Sequence, residues 1–110
     1  MQHQKTLPTL GGRSSFDFCG SIREGTHIWF GKDKRNKSFV STANYEDLLT
    51  EFKGKIIQVG NGRRNRPPGS LGAWLKEHVT SAVIAAYVAK LLIEEGYAVK
   101  KEGAIIEVFD

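Results

Sequence analysis

One cysteine, Cys19, in 110 residues excludes an intramolecular disulfide and leaves no thiolate cluster for a structural metal. The three histidines, His3, His27 and His78, share no spacing that argues for metal ligation, so no metal and no cofactor is expected. No apolar run, even with an interruption, approaches the ~18 residues of a membrane span. The longest, residues 82–93, is broken by Lys90 and reads as a buried helix. The first twelve residues, MQHQKTLPTLGG, hold no apolar stretch of signal-peptide length, so export is not expected and the cytoplasm is the expected location. A nucleophile–base pair is also missing: Cys19, the serines and His78 fall in no recognisable motif, so no enzymatic activity is expected.

What remains is an ordinary globular composition, 40% hydrophobic, 10% aromatic and 25% charged, at a length suited to one domain. Net charge is +4, and it is unevenly spread. Residues 1–66 hold 12 of the 16 basic and 6 of the 12 acidic side chains, a surplus of six positive charges. Residues 67–110 carry a surplus of two negative charges. The positive field therefore belongs to the first 66 residues.

Residues 1–12, with Pro8 and a glycine pair, have no periodicity and are expected to form a flexible arm ahead of a single domain over residues 13–110. From Ser14 the pattern alternates, with Phe16, Phe18 and Ile22 on one face of an extended segment. Residues 26–30 and 38–42 read as two more strands. The polar link between them, residues 31–37, makes a hairpin with a strongly basic tip. Ile28 and Phe30 lie on one face of that hairpin, His27 and Trp29 on the other. Asn44 reads as an N-cap for a short helix carrying Tyr45, Leu48, Leu49 and Phe52, stopped before Gly54. Residues 55–59 form a strand, and residues 60–69 (GNGRRNRPPG) a loop. Ser70 caps the next helix, and Thr80 or Ser81 opens a third over residues 82–95. A hairpin over residues 97–109 closes the chain. The fold class is thus α+β: a small antiparallel sheet with a basic hairpin, packed on a C-terminal helix–helix–hairpin unit around an apolar central helix. Phe16, Phe18, Ile57, Val59 and Trp74 are expected in its core.

Within residues 70–109, LGAWLKEH, the helix of residues 81–95 and the ending LLIEEGYAVKKEGAIIEV follow the order short helix, turn, longer helix, glycine, hairpin. This order resembles the winged-helix variant of the helix-turn-helix family. The resemblance implies that residues 71–78 are the supporting helix, 81–95 the recognition helix and 97–109 the wing of a DNA-binding unit. Physical chemistry opposes the usual use of such a unit here. A recognition helix needs side chains that reach base edges and phosphates, whereas residues 81–95 are apolar nearly all round with one lysine. Such a helix is a core element or an oligomer contact.

Two basic links carry the candidate chemistry. Arg63, Arg64 and Arg66 offer planar, permanently charged forks suited to phosphate. They precede Ser70 and a helix N-terminus, where free amides favour an anion. No Gly-Lys-Ser/Thr closes the loop, so it is not a nucleotide-binding phosphate loop. The second link holds Lys32, Lys34, Arg35 and Lys37 beside Trp29, a cation–aromatic mixture suited to nucleic acid. The bland alternatives are solvated arginines paired with surface carboxylates, and a charged tip that protects a sheet edge. The expected function is a small non-enzymatic accessory protein that contacts nucleic-acid phosphates through residues 32–37 and 60–70. The rival expectation is a protein-interaction module that forms a homodimer through the apolar helix of residues 82–95. A third, an enzyme acting on a phosphorylated substrate, needs a nucleophile or base beside the arginine loop.

Overall fold

A computed structural model describes residues 4–110. Four antiparallel strands, β1 (Lys5–Pro8), β2 (Ser15–Ser21), β3 (Gly25–Phe30) and β4 (Asn36–Val40), form a meander in that order. After α1 (Thr42–Phe52) come β5 (Ile56–Gln58), α2 (Leu71–His78), α3 (Ala85–Glu94), β6 (Ala98–Lys100) and β7 (Ile105–Val108). The last three strands make a second antiparallel sheet in which β7 lies between β5 and β6. The fold is α+β. Among the described residues no helix is long and apolar enough to cross a membrane.

The alternation of β2 and β3 sets the inner face of the meander. Phe16, Ile28 and Phe30 point into the core together with Val40, each buried. Tyr87 of α3 rests on this face, with ring centroids 5.0 Å from Phe16 and 5.1 Å from Phe30. Val88, Leu91 and Leu92 of α3 are fully enclosed. They join one cluster with Ile57, Ile106 and Val108 of the second sheet. The expected core residues Phe16, Ile57 and Val59 are buried, while Phe18 and Trp74 are half-buried and pack against it. Trp74 meets Phe52 of α1 edge-on at 6.3 Å. The Tyr45 hydroxyl of α1 and that of Thr26 on β3 share a buried hydrogen bond of 2.6 Å, which fixes α1 against the meander.

Three local expectations are corrected. Of the arm expected over residues 1–12, residues 1–3 lie outside the described residues, and the rest contains an edge strand: Lys5 to Pro8 pair with Phe18 to Ser15. Backbone pairing, which leaves no hydropathy signal, puts it there. Helix α1 is capped by Ser41 rather than Asn44. The Ser41 hydroxyl accepts from the Asn44 amide while the Asn44 side chain accepts from the Ser41 amide, so Asn44 is the reciprocal partner in a capping box. The third helix starts at Ala85, not at residue 82. The Thr80 hydroxyl turns instead onto the Ala82 amide at 3.2 Å, a local bond that competes with helix initiation. Lacking a cap of its own, α3 takes one from far away: the Asn61 side-chain carbonyl accepts from the Ala86 amide at 2.9 Å.

Helix α2 sits unusually close to the strand that precedes it. The Gly72 amide donates to the Val59 carbonyl at 2.8 Å, and a Cβ on Gly72 would run into the Gly60 carbonyl. Alanine ordinarily stabilises a helix interior by about 1 kcal/mol over glycine. Here Gly72→Ala is expected to lose about 2 kcal/mol, because the backbone of Gly60 cannot yield as a side chain would. Urea unfolding followed by tryptophan fluorescence measures this, and a variant as stable as the parent would contradict the close seating of α2.

Candidate functional site

Residues 60–70 and the β3–β4 hairpin hold all the side chains expected to bind an anion, and the fold treats these side chains differently. In the loop, the Arg66 guanidinium turns inward, donating to the Gly62 carbonyl at 3.2 Å and to the Ser81 carbonyl at 2.9 Å. It closes the loop on itself and ties it to the segment leading into α3. Ser70 is buried, and its hydroxyl accepts from the Ala73 amide at 3.1 Å. With the Gly72 amide already engaged by Val59, the amides of Gly72 and Ala73 at the start of α2 are satisfied by the chain itself. Arg66 and Ser70, both expected to hold an anion, are thus engaged in loop closure and helix capping. Arg63 and Arg64 are exposed, and among the described residues neither has a carboxylate within ion-pair distance.

The hairpin tip divides in the same way. Gly31, Asp33 and Lys34 all adopt positive φ, at 81°, 55° and 54°, and two consecutive non-glycine residues in that region are costly. The Lys34 ammonium compensates by reaching back to the Asp17 carboxylate of β2 at 2.7 Å. Arg35 makes only an exposed pair with Asp33 at 3.6 Å. Lys32 is exposed with no ion-pair partner among the described residues. Lys37, on β4, lays its ammonium 5.0 Å from the centre of the Trp29 ring.

Lys37 therefore belongs to the outer face of the meander rather than to the tip. Trp29 is paired with Lys37, and His27 with Phe39. Asp17 of β2 lies beside Trp29 and Cys19 beside His27. Side chains alternate across a strand, so these six share the face turned away from the core. The His27 ring lies 4.6 Å from Phe39 and 6.2 Å from Trp29, at tilts of 38° and 33°. Its Nδ1 is buried without a hydrogen-bond partner. Phe39 is 48% exposed, a large apolar ring presented to water. Residue types alone did not single out His27 or Phe39 as site residues. The signal was register: once Phe30 opposes Asn36 across the tip, Trp29–Lys37 and His27–Phe39 follow by counting.

The remaining histidine in the described chain, His78, stacks on Trp74 at 4.6 Å at the far end of α2 from the arginine loop. Cys19 and His27 are cross-strand neighbours, yet no hydrogen bond joins them. Among the described residues no group of His, Cys, Asp and Glu could hold a metal ion. A cleft of about 390 Å³ lies between the start of α3 and the β6–β7 turn, lined by Leu10, Val59, Asn61, Ala86, Lys100 and Ala104 among others. Its walls are mostly apolar. No protein-family model, curated protein or solved structure matches the chain.

The Lys34 contact has a consequence for acid stability. The hydrogen bond from Lys34, helped by those from Thr6 at 2.6 Å and Gln4 at 2.8 Å, holds the Asp17 carboxyl below its ordinary value of 3.8 against the opposing effect of burial. A lowered folded-state pKa gives stability that is complete above the unfolded value and is lost as pH falls through the folded one. The melting temperature of Asp17→Asn is therefore expected to lie below the parent's at neutral pH and to converge on it below about pH 3. Melting curves from pH 2 to 7 for both proteins decide; a constant gap would remove Asp17 from the acid response.

Proposed function

We propose that this protein is a non-enzymatic nucleic-acid-binding accessory protein that holds phosphates through its two basic links. The observation that carries this reading is a set of exposed cations without strong carboxylate partners, Lys32, Arg35 and Lys37 on the hairpin and Arg63 and Arg64 on the loop. They lie in the part of the chain with a surplus of six positive charges. Solvated cations on projecting links release condensed counterions when they meet a polyanion, which is the main source of sequence-independent affinity.

Residues 70–109 run short helix, turn, longer helix, glycine and hairpin, the order on which the winged-helix resemblance rests, with β5 added to the hairpin's sheet. This order does not support base reading by α3. Ala85, Val88, Ala89, Leu91 and Leu92 are buried, so this helix serves as core. The same enclosure weakens the rival reading of a homodimer through the apolar helix. The exposed large apolar side chains among the described residues are Phe39, Ile56, Val99 and Phe109, none of them on α3.

Binding to labelled duplex DNA, single-stranded DNA and RNA across a salt series tests the proposal. The parent is expected to bind with a steeply negative slope of log affinity against log salt. Arg63→Ala/Arg64→Ala is expected to bind more weakly, with a slope shallower by about 2. Arg66→Ala serves as the contrast: it is expected to lose about 1–2 kcal/mol of stability with a smaller effect on slope. No binding by the parent at low salt to any of the three would overturn the reading.

A further inference from the structure

We infer that the outer face of the four-stranded sheet is a base-stacking platform, and that the polyanion it takes is single-stranded nucleic acid. The inference rests on the phosphate-binding reading above and adds to it the form of the ligand. Its basis is the juxtaposition of three aromatic rings and Lys37 on one face, with Lys32 and Arg35 at the adjoining hairpin tip. Phe39, His27 and Trp29 lie side by side on adjacent strands, with centroid separations of 4.6 Å and 6.2 Å. Phe39 is half exposed on the edge strand β4.

A flat sheet face bearing aromatic side chains cannot enter a duplex, whose bases present only their edges in the grooves. It does suit a single strand, whose unstacked bases lie on rings while the backbone passes over flanking cations. The cations are in place. Lys37 stands over Trp29, and Lys32 and Arg35 are exposed at the tip where β3 joins β4. The one carboxylate placed among the aromatic rows, Asp17, is neutralised by Lys34 at 2.7 Å. An exposed lysine–ring contact is weaker than the stacking of a base, so Lys37 can leave the Trp29 face to a base and take up its phosphate. His27 lies between the other two, in ring contact with both.

Chemistry also separates this face from the other exposed apolar positions. Ile56 and Val99 flank Glu107 on the second sheet, and Glu107 pairs with Lys101 at 3.0 Å. The exposed ring at that end, Phe109, stands without a second aromatic ring paired with it among the described residues and beside Asp110, which pairs with Lys53 at 3.4 Å, so no unpaired cation accompanies it there.

The test compares a fifteen-nucleotide oligo(dT), an oligo(U) of the same length and a fifteen-base-pair duplex, using full-length protein with Trp74→Phe so that Trp29 alone reports. Both single strands are expected to bind more tightly than the duplex and to quench Trp29 emission. Phe39→Ala and Phe39→Leu are each expected to weaken single-strand binding about ten-fold with the salt slope unchanged. Leucine keeps the apolar volume and the fold while removing the π face, and circular dichroism verifies the fold of both variants. If both strand forms bind equally well and neither Phe39 variant loses affinity, the platform is overturned while phosphate binding stands. If only the leucine variant retains affinity, the contact is apolar rather than stacking and the inference also falls. Absence of any binding by the parent overturns both readings together.

Discussion

The enclosure of α3 is the constraint on which the other elements depend. Its fully buried Val88, Leu91 and Leu92 contribute roughly 1.5–3 kcal/mol each as apolar surface withdrawn from water. That gain is realised only if both sheets and α2 are in place around them. Tyr87 carries the contact to the meander by lying against both Phe16 and Phe30. At the C-terminal end, both carboxylate oxygens of Glu95 lie 3.1 Å from the Ile22 amide, just past the end of β2. At the N-terminal end, Asn61 supplies the cap that residues 80–84 do not. Arg66 meanwhile holds the Ser81 carbonyl. A helix without start signals of its own is thus fixed at both ends by residues distant in sequence.

This arrangement explains why the charged residues of the basic links divide into two kinds. The loop between β5 and α2 must bridge to the start of α3, and it does so with Asn61 and Arg66, leaving Arg63 and Arg64 as the parts that structure does not consume. At the hairpin, two residues in the left-handed region require an anchor, and Lys34 provides it through Asp17. Lys32, Arg35 and Lys37 are left over. Such residues are tolerant to substitution in folding terms, because each removed charge leaves the architecture intact.

Much of the architecture was legible in the residues. Alternation put Phe16 in the core and set Ile28 and Phe30 on the face opposite His27 and Trp29, Ser70 announced α2, and the apolar run of residues 82–93 announced a buried helix. What was hidden depended on partners far along the chain. The edge strand at Lys5–Pro8 is made by backbone pairing, and nothing in its composition reports that. The start of α3 was misplaced because Thr80 and Ser81 are good caps by type, whereas the Thr80 hydroxyl closes a turn and the cap comes from Asn61, 25 residues earlier. For the candidate site, residue type identified seven cations and a serine but could not separate those engaged in structure from those that are free. Counting arginines gave Arg66 the same weight as Arg63, although only Arg66 finds two backbone carbonyls.

The two faces of β3 show how one strand can serve both demands. Ile28 and Phe30 are committed to the core, where Phe30 meets Tyr87, while the opposite positions, His27 and Trp29, are half-buried on the outer face. In a sheet with one solvated face, those positions ordinarily hold polar residues. Here they hold rings, and the neighbouring edge strand adds Phe39, although a bare aromatic on an edge strand invites unwanted association. Core packing does not require Phe39, since Val40 of the same strand already supplies the buried contact. The Phe39 ring also covers Gly25 of β3, with its edge 3.1 Å from where a Cβ on that glycine would stand. Phe39 is thus held against the sheet by Gly25 and His27 while about half of its surface stays in water.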